Sequence, residues 1–409
     1  MTKRTLTILT AIAVLASACG GGGSTDTSAM GWLGGEPVWT GAHGGAYPPE
    51  ADMAMTTMVE SLESGDSVGA RQLGLLAGAV DDNASWDDYL LYRHRFAETG
   101  IPVHDVDVTG RRIVTVTRPD GSPVLGATVA LVDADGSVIA SALTSSFGTA
   151  LLFPIGDPAG MQVTVAKGQE SAEAALDPAI REHAFTLEVP STRTPIALDI
   201  LFLIDVTGSM GDEIDRLKET VETIAQRIDG FGAATDLRLA MTVYRDRGDS
   251  FVAETFEFTP DVAAFADALG AVTADGGGDY PESLNEGLHE AIHAPEWRVE
   301  DAVSLVFLIA DAPPVLTYQD DYDYAVEMFA AAQRGITIHP IASSGLDDQG
   351  EYVFRQLAQV TGGRFVFLTY GADGGPGDET SHHVDDYSVL ALDDLVVRIV
   401  EDTLAPLEG

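Results

Sequence analysis

Apolar and polar residues follow two different spacings along the chain, and the spacing changes near residue 190. Beyond that point, short continuous apolar runs alternate with segments that have an apolar residue at every third or fourth position. Continuous runs are typical of strands buried on both faces of a parallel sheet, and the wider spacing is typical of helices with one apolar side. The pattern predicts an α/β domain with a doubly wound, mainly parallel sheet over residues 193–409.

The elements of this domain follow from the same runs. The helix at 212–229 is the clearest, because its apolar residues recur at three- and four-residue intervals along one side. The segment 251–258 is expected to be an edge strand. The predicted strands are 200–204, 236–245, 251–258, 304–310, 336–342 and 364–369, and the predicted helices are 212–229, 261–273, 322–334, 350–361, one beginning at Glu282 and one beginning at Leu392.

The richest chemistry follows the first buried run, Ile200 to Ile204. Asp205, Thr207 and Ser209 come next, at alternate positions in a loop that contains glycine. Ligands of open α/β sheets bind where parallel strands end at their carboxyl edge. Three side-chain oxygens at that edge suit a hard cation such as Mg²⁺. The sequence therefore predicts a divalent-metal site here.

Three separated phrases resemble the metal-ion-dependent adhesion site of von Willebrand factor A domains. They are LFLIDVTGSM at 201–210, GGGDYPE at 276–282 and LIADAPP at 308–314, and they occur in the order found in that family. The resemblance extends over about 195–405. It implies a non-catalytic module that binds a partner through a metal.

The resemblance also implies a ligand set. Thr207 and Ser209 would bind the metal directly, whereas Asp205, Asp279 and Asp311 would bind directly or through water, leaving one position for an oxygen of the partner. Many relatives have threonine where Asp279 stands, so this chain adds a third carboxylate. We expect Mg²⁺, with Ca²⁺ or Mn²⁺ as alternatives. The negative charge that Asp279 adds would shift the preference toward Ca²⁺ and would disfavour an acidic partner.

A second metal motif offers an alternative function. Residues 289–293 read HEAIH, and two histidines four apart on a helix bind zinc in metalloproteases, with the glutamate (here Glu290) as general base. The metzincin continuation fails at Glu296 and Val299, and no third ligand is evident, although Glu327 stays open. We therefore predict no enzyme, and expect the histidines to lie beside a buried stripe, away from any cleft. A zinc hydrolase, or a scaffold with a purely structural metal, remains the alternative.

Three smaller features carry weaker expectations. Asp246 is expected near the metal ligands, holding a water or pairing with Arg245. Residues 247–249 spell RGD, a weak cell-attachment match that the family phrase YRD at 244–246 largely explains. His382 and His383 are expected in a solvated loop, with a second metal site or a pH-sensitive site as the alternative.

The region before the A-type domain divides into two parts. Residues 105–191 contain short β-rich runs with turn signals every 10 to 15 residues, which predicts a smaller antiparallel β-sandwich. Residues 119–152 resemble a carboxypeptidase-regulatory-like domain, which implies a spacer or packing partner. Residues 51–104 form a short N-terminal element whose AGxxDDN phrase resembles one found upstream of A-type domains in bacterial surface proteins. Its aspartates, Asp81, Asp82, Asp87 and Asp88, could bind calcium but lack the spacing of an EF-hand loop. We therefore expect them to be solvated and to cap a helix.

The N-terminus predicts export. Residues 1–18 have a basic start and an apolar core too short to span a membrane, as in a signal peptide. Cys19, the only cysteine, follows a sequence that resembles a bacterial lipobox, which implies lipidation and a membrane anchor. Residues 19–50 are rich in glycine and predict a flexible tether.

The charge balance narrows the class of partner. The formal net charge is −42, and a surface this negative repels nucleic acid and favours cations or basic partners. Together these features predict an exported, membrane-anchored lipoprotein that faces the periplasm or the cell exterior. It would bind a protein or surface polymer, and no nucleic acid, through its metal.

Overall fold

The computed structural model describes residues 74–154, 160–191, 194–278, 280–299, 301–370 and 377–408. The predicted signal peptide, Cys19 and the tether lie outside these residues, so they stay predictions. Within the described residues, no helix is both long enough and apolar enough to cross a membrane.

Strands and helices are numbered in chain order. The strands are β1 (Leu76–Val80), β2 (Arg112–Thr117), β3 (Thr128–Val132), β4 (Val138–Leu143), β5 (Thr149–Leu152), β6 (Gln162–Lys167), β7 (Glu170–Ala175), β8 (Glu182–Thr186), β9 (Ile196–Asp205), β10 (Thr235–Tyr244), β11 (Ala253–Thr259), β12 (Ala302–Ala310), β13 (Ile336–Ala342), β14 (Phe365–Thr369) and β15 (Leu390–Ala391). The helices are α1 (Trp86–Thr99), α2 (Ile214–Asp229), α3 (Val262–Gly270), α4 (Leu284–His293), α5 (Tyr324–Gln333), α6 (Asp348–Thr361) and α7 (Leu392–Leu404).

Eight strands form one large sheet in the order β11-β10-β9-β12-β13-β14-β1-β15. The central strands β10, β9, β12, β13 and β14 are parallel, and β11 is an antiparallel edge strand, as the sequence predicted. Alternate residues of β9 point to opposite faces, so that Phe202 packs with α2, α3 and α7 whereas Leu203 packs with α1, α4, α5 and α6. The doubly wound, mainly parallel α/β sheet is confirmed.

The described part of the N-terminal element joins this large sheet. Strand β1 pairs antiparallel with β14 and with β15, and α1 packs on the face that also holds α6. Asp82 lies buried in an ion pair with Arg355 of α6, at 2.6 Å. The expectation that Asp82 is solvated is wrong, because α6 supplies a buried guanidinium. Asp81 forms a turn before α1, since its Oδ1 accepts hydrogen bonds from the amides of Asn83 and Ala84. The N-cap of α1 is Ser85, so the expected capping by Asp81 is wrong.

The remaining seven strands form a β-sandwich. One sheet has the order β5-β2-β8 and the other β4-β3-β6-β7, and their inner faces enclose an apolar core. All of the pairs are antiparallel except β2 with β8. The sandwich contacts the large domain where the Phe153 and Phe329 rings meet edge to face at 6.0 Å, and through an ion pair of 2.7 Å between Lys167 and Asp301.

Candidate metal centre

Two neighbouring parallel strands bring two aspartates to one edge of the large sheet. Ile309 of β12 lies opposite Ile204 of β9, so the strands end side by side. Asp205 is the last residue of β9, and Asp311 directly follows β12. Both side chains are buried. The position is the carboxyl edge at which open α/β sheets bind their ligands.

Hydroxyl groups connect these two carboxylates. Oδ1 of Asp205 accepts hydrogen bonds from the amide of Thr207 at 2.9 Å and from its Oγ1 at 2.7 Å. The Thr207 hydroxyl lies 3.1 Å from Oγ of Ser209, which donates to Oδ1 of Asp311 at 3.1 Å. Four of the five predicted metal ligands therefore lie together, on two separate loops.

The glycine loop at 276–278 contacts the same group of residues. The amide of Gly208 donates to the carbonyl of Gly276 at 3.1 Å. A Cβ atom at Gly277 would lie 2.7 Å from Oε1 of Glu282 and 3.1 Å from Cβ of Thr207, and its φ is +65°. The left-handed φ and the close approach to Thr207 both favour glycine at this position. Asp279 lies outside the described residues, so its predicted role stays a prediction.

Two carboxylate oxygens at this site are buried without a well-formed hydrogen bond. Within the described structure, neither Oδ2 of Asp205 nor Oε2 of Glu282 makes a hydrogen bond of normal geometry, although the buried Tyr244 hydroxyl lies near enough to lower the pKa of Asp205. Burial, reinforced by the charge of Asp311, raises the pKa of Asp205 to about 7. Burial and the nearby carboxylates, Asp205 first, raise the pKa of Glu282 to about 8. Buried carboxylates are costly unless paired or bound to a metal, so this donor set fits a hard divalent cation.

Glu282 is a site residue that the sequence interpretation missed. The pattern assigns it to the start of a helix, whereas α4 begins two residues later and the buried Glu282 carboxylate faces Gly277. The only sequence signal is its position at the end of the phrase GGGDYPE.

Asp246 lies beside the site but is held by groups other than those predicted. It accepts hydrogen bonds from Ser283 at 2.7 Å and from the Tyr318 hydroxyl at 2.9 Å. Arg245 instead donates to Ser250 and to the carbonyl of Thr273. Of the two roles expected for Asp246, pairing with Arg245 is therefore wrong, whereas holding a water stays a prediction.

The charged residues of the RGD tripeptide, Arg247 and Asp249, form intramolecular ion pairs and hydrogen bonds. Arg247 pairs with Glu286 and with Asp321, the latter at 2.8 Å. Oδ2 of Asp249 accepts from the amide of Gly277 at 2.8 Å and from that of Asp246 at 3.1 Å. These contacts give the tripeptide a structural role, next to the glycine loop.

Of the adjacent histidines His382 and His383, one is buried, contrary to expectation. His382 has only 7% of its side chain exposed and lies 3.3 Å from the buried Glu351, whereas His383 is 56% exposed. The expected solvated loop therefore holds for His383 alone. Burial by itself would raise the pKa of Glu351, but hydrogen bonds from His382 and from the amide of His383 hold it at about 2.

A third potential metal ligand lies beside the two histidines of the HExxH motif. His289 and His293 of α4 both contact Glu327 of α5. Glu327 is the side chain that the sequence left open as a third ligand, and the packing of α5 against α4 brings it to both histidines.

Residues 199–370 match a family model described as von Willebrand factor A domain. These residues form a von Willebrand factor A domain. The doubly wound sheet agrees with that assignment, and the bonded residues Asp205, Thr207, Ser209 and Asp311 all fall inside the matched range.

Two curated proteins are similar to part of the chain. A putative ariadne-like RING finger protein of Acanthamoeba polyphaga mimivirus is 24% identical over 187 residues, which are 42% of this chain and 18% of the relative. The alpha-protein kinase vwkA of Dictyostelium discoideum is 28% identical over 134 residues, 32% of this chain and 21% of the relative. The similarity spans about a fifth of the length of these relatives.

Solved structures of proximal thread matrix protein 1 from the mussel byssus are also similar. The form described as having a zinc-occupied metal-ion-dependent adhesion site motif has a TM-score of 0.34 and 19% identity, over 40% of each chain. A second structure of that protein has a TM-score of 0.29 and 15% identity, over 40% of this chain and 45% of the other.

Proposed function

We propose that this protein binds a protein or surface-polymer ligand outside the cytoplasm through a divalent cation at the edge of its A domain, without catalysis. One observation carries the proposal. It is the continuous path of hydroxyl and carboxylate groups from Asp205 through Thr207 and Ser209 to Asp311, with a buried oxygen on Asp205 that makes no hydrogen bond of normal geometry.

The residues that would hold the cation are all oxygen donors. Thr207, Ser209, Asp205 and Asp311 fit Mg²⁺ best, with Ca²⁺ or Mn²⁺ as alternatives, and the family resemblance adds Asp279. When bound, the cation supplies an electron-poor position that an oxygen of the ligand can fill. Buried Glu282 adds a further negative charge beside the site.

The charge of the chain restricts the ligand. With a formal net charge of −42 and several carboxylates at the site, an acidic ligand is repelled both at long range and near the cation. A ligand with basic or neutral surroundings around its donor oxygen fits better. Nucleic acid is excluded on the same ground.

The metal part of the proposal is tested by calorimetry on the purified full chain. Titration with Mg²⁺, Mn²⁺ and Ca²⁺ is expected to show one site in the wild type that is lost in Asp205→Asn and in Ser209→Ala. Asp267→Asn, on the exposed side of α3, is the matched control and should bind as the wild type does. Equal binding by the wild type and Asp205→Asn would contradict the proposed site.

The cellular part of the proposal rests on the first 19 residues, which resemble a lipoprotein signal. Lipidation at Cys19 would attach the exported protein to a membrane and leave the A domain to face the periplasm or the exterior. Replacement of Cys19 by Ser should release the protein from the membrane fraction of expressing cells. If the variant stays with the membranes, the lipid anchor is refuted.

A further inference from the structure

Two helices of the A domain place three metal-binding side chains together, away from the residues proposed to hold the first cation. His289 and His293 lie one turn apart on α4, with their rings 4.5 Å apart. Glu327, in the first turn of α5, reaches between them. Its Oε1 lies 2.9 Å from Nδ1 of His289, and its Oε2 lies 2.8 Å from Nε2 of His293.

The ligand set is one that zinc prefers. Two imidazole nitrogens and one carboxylate bind Zn²⁺ at about 2.0–2.2 Å and leave a fourth position for water. One candidate atom from each side chain lies within 4.8 Å of the others. Tetrahedral ligands at those bond lengths are separated by about 3.3 Å. The Glu327 oxygens would therefore move away from their present hydrogen bonds by roughly 0.5 Å. The two imidazole nitrogens, which lie within 4.8 Å of each other, would adjust by side-chain rotation.

The three side chains are also held in position before any ion arrives. The side chain of Glu327 is only 7% exposed, against 26% for His289 and 36% for His293. The ring of Tyr322 stacks on that of His289, with centroids 3.5 Å apart and planes 6° apart. This stacking restricts rotation of the His289 ring. The exposed edges of the histidines leave a path from solvent.

We propose that His289, His293 and Glu327 bind a divalent zinc-class ion that clamps α4 to α5 and retains a water ligand. Glu290, the second residue of the HExxH motif, contributes no ligand to this site. The clamp differs from a zinc hydrolase because its ion serves to hold two helices together.

The clamp would reinforce contacts that already join the two helices. The side chain of Asn285 in the first turn of α4 donates to Asp321 at 3.0 Å and accepts from the amide of Tyr324 at 3.0 Å. Helix α4 begins two residues after Glu282, which follows the glycine loop at 276–278. An ion that fixes α4 against α5 would therefore also stabilise the position of this loop. The proposal does not depend on the function proposed above, because its ligands are separate.

Zinc binding is measured on the full chain by equilibrium dialysis against ZnCl₂, in the Asp205→Asn background that removes the first site. This background should bind one equivalent of Zn²⁺. His293→Ala and Glu327→Gln should each weaken that binding at least about tenfold. The matched controls are His94→Ala, whose side chain is 75% exposed on α1, and Glu290→Gln, and both should leave the affinity unchanged.

Thermal unfolding gives the second readout. Zn²⁺ should raise the midpoint of Asp205→Asn and should raise that of the His293→Ala double variant less, because an ion that binds only the folded state stabilises it. His293 is half-exposed, so this variant is expected to fold. If Asp205→Asn binds no Zn²⁺, or if loss of His293 leaves the affinity unchanged, Glu327 is merely held by two imidazole N–H groups and the clamp is refuted. A failure of Mg²⁺ binding at Asp205 would leave these outcomes unaffected.

Discussion

Asp205 shows at the scale of one residue how a binding site conflicts with stability. Its Oδ2 makes no hydrogen bond of normal geometry, and burial raises its pKa to about 7. Above that pH the metal-free protein holds a buried charge that Thr207 and the nearby Tyr244 hydroxyl only partly compensate. Such a group is destabilising by about 1–3 kcal/mol. It persists in a fold when a ligand compensates it, which is the role proposed here for the cation.

Asp205→Asn should therefore stabilise the metal-free protein by about 1–2 kcal/mol at pH 8, since the amide keeps the acceptor used by Thr207 and removes the charge. Urea unfolding in EDTA measures the difference. In Mg²⁺ at a hundred times its dissociation constant, the order should reverse, because the wild type gains about 2.7 kcal/mol. Asp267→Asn serves as the control in both buffers. A variant that is less stable than the wild type in EDTA would show that Asp205 is structural.

The buried His339 should make the stability of the fold depend on pH. The ring is buried, and its Nδ1 accepts a hydrogen bond from the amide of Arg364 at 3.0 Å. Burial, with the positive charge of Arg364, lowers the pKa of His339 to about 3. In the unfolded chain a histidine titrates near 6.5. The folded state thus binds fewer protons between these values, and stability is lost as the pH falls from about 6.5 toward 3.

The size of this loss approaches about 1.4 kcal/mol per pH unit within that window. His339→Asn keeps an acceptor at the position of Nδ1 but does not titrate, so it should remove this contribution. Urea unfolding at pH 7, 6, 5 and 4 gives the difference between wild type and variant. A constant difference across these values would show that His339 does not titrate as described.

At the scale of elements, the buried ion pair of Asp82 and Arg355 joins the β1–α1 connection to α6. Arg355 also stacks on Tyr92, with its guanidinium 3.8 Å from the ring centroid. Removal of one partner from a buried pair leaves the other charge poorly compensated and typically costs 3–5 kcal/mol. Because Arg355 keeps its contact with Glu351, we expect Asp82→Asn to cost about 3 kcal/mol.

Chemical denaturation measures this loss. Asp87→Asn, the same substitution on an exposed aspartate of α1, should change the stability by less than about 0.5 kcal/mol. A cost for Asp82→Asn as small as that of the control would mean that α1 is held by its aromatic packing alone.

The elements of the A domain were predictable because their patterns are local. Continuous apolar runs mark β9 and β12, since both faces of these strands are covered. The first helix was placed two residues early, at 212, because Gly208–Asp212 form a 3₁₀ helix that precedes Ile214. Hydroxyls at alternate positions after β9 predicted that Asp205, Thr207 and Ser209 lie together, and their hydrogen bonds show that they do.

Features that depend on distant contacts were not predictable. Strand β1 pairs with β14, which lies nearly three hundred residues later, and no local pattern specifies such a partner. The same holds for Arg355, which buries Asp82. Glu327 was left open as a third ligand, but the sequence could not decide its approach to α4, which depends on the packing of α5. Glu282 was missed because the predicted helix begins at this residue, and a glutamate in the first turn of a helix is ordinarily exposed.

At the scale of the whole molecule, the net charge of −42 sets the response to salt. Mutual repulsion of surface carboxylates destabilises the compact state and is screened by salt, so NaCl should raise the unfolding temperature. MgCl₂ at the same ionic strength should raise it further in the wild type, because a bound ion adds site-specific stabilisation to screening. In Asp205→Asn, differential scanning calorimetry should show that most of this extra rise is lost, while the NaCl effect persists. If the extra rise is equally large in the variant, Mg²⁺ acts through the acidic surface as a whole, and the site at Asp205 does not select it.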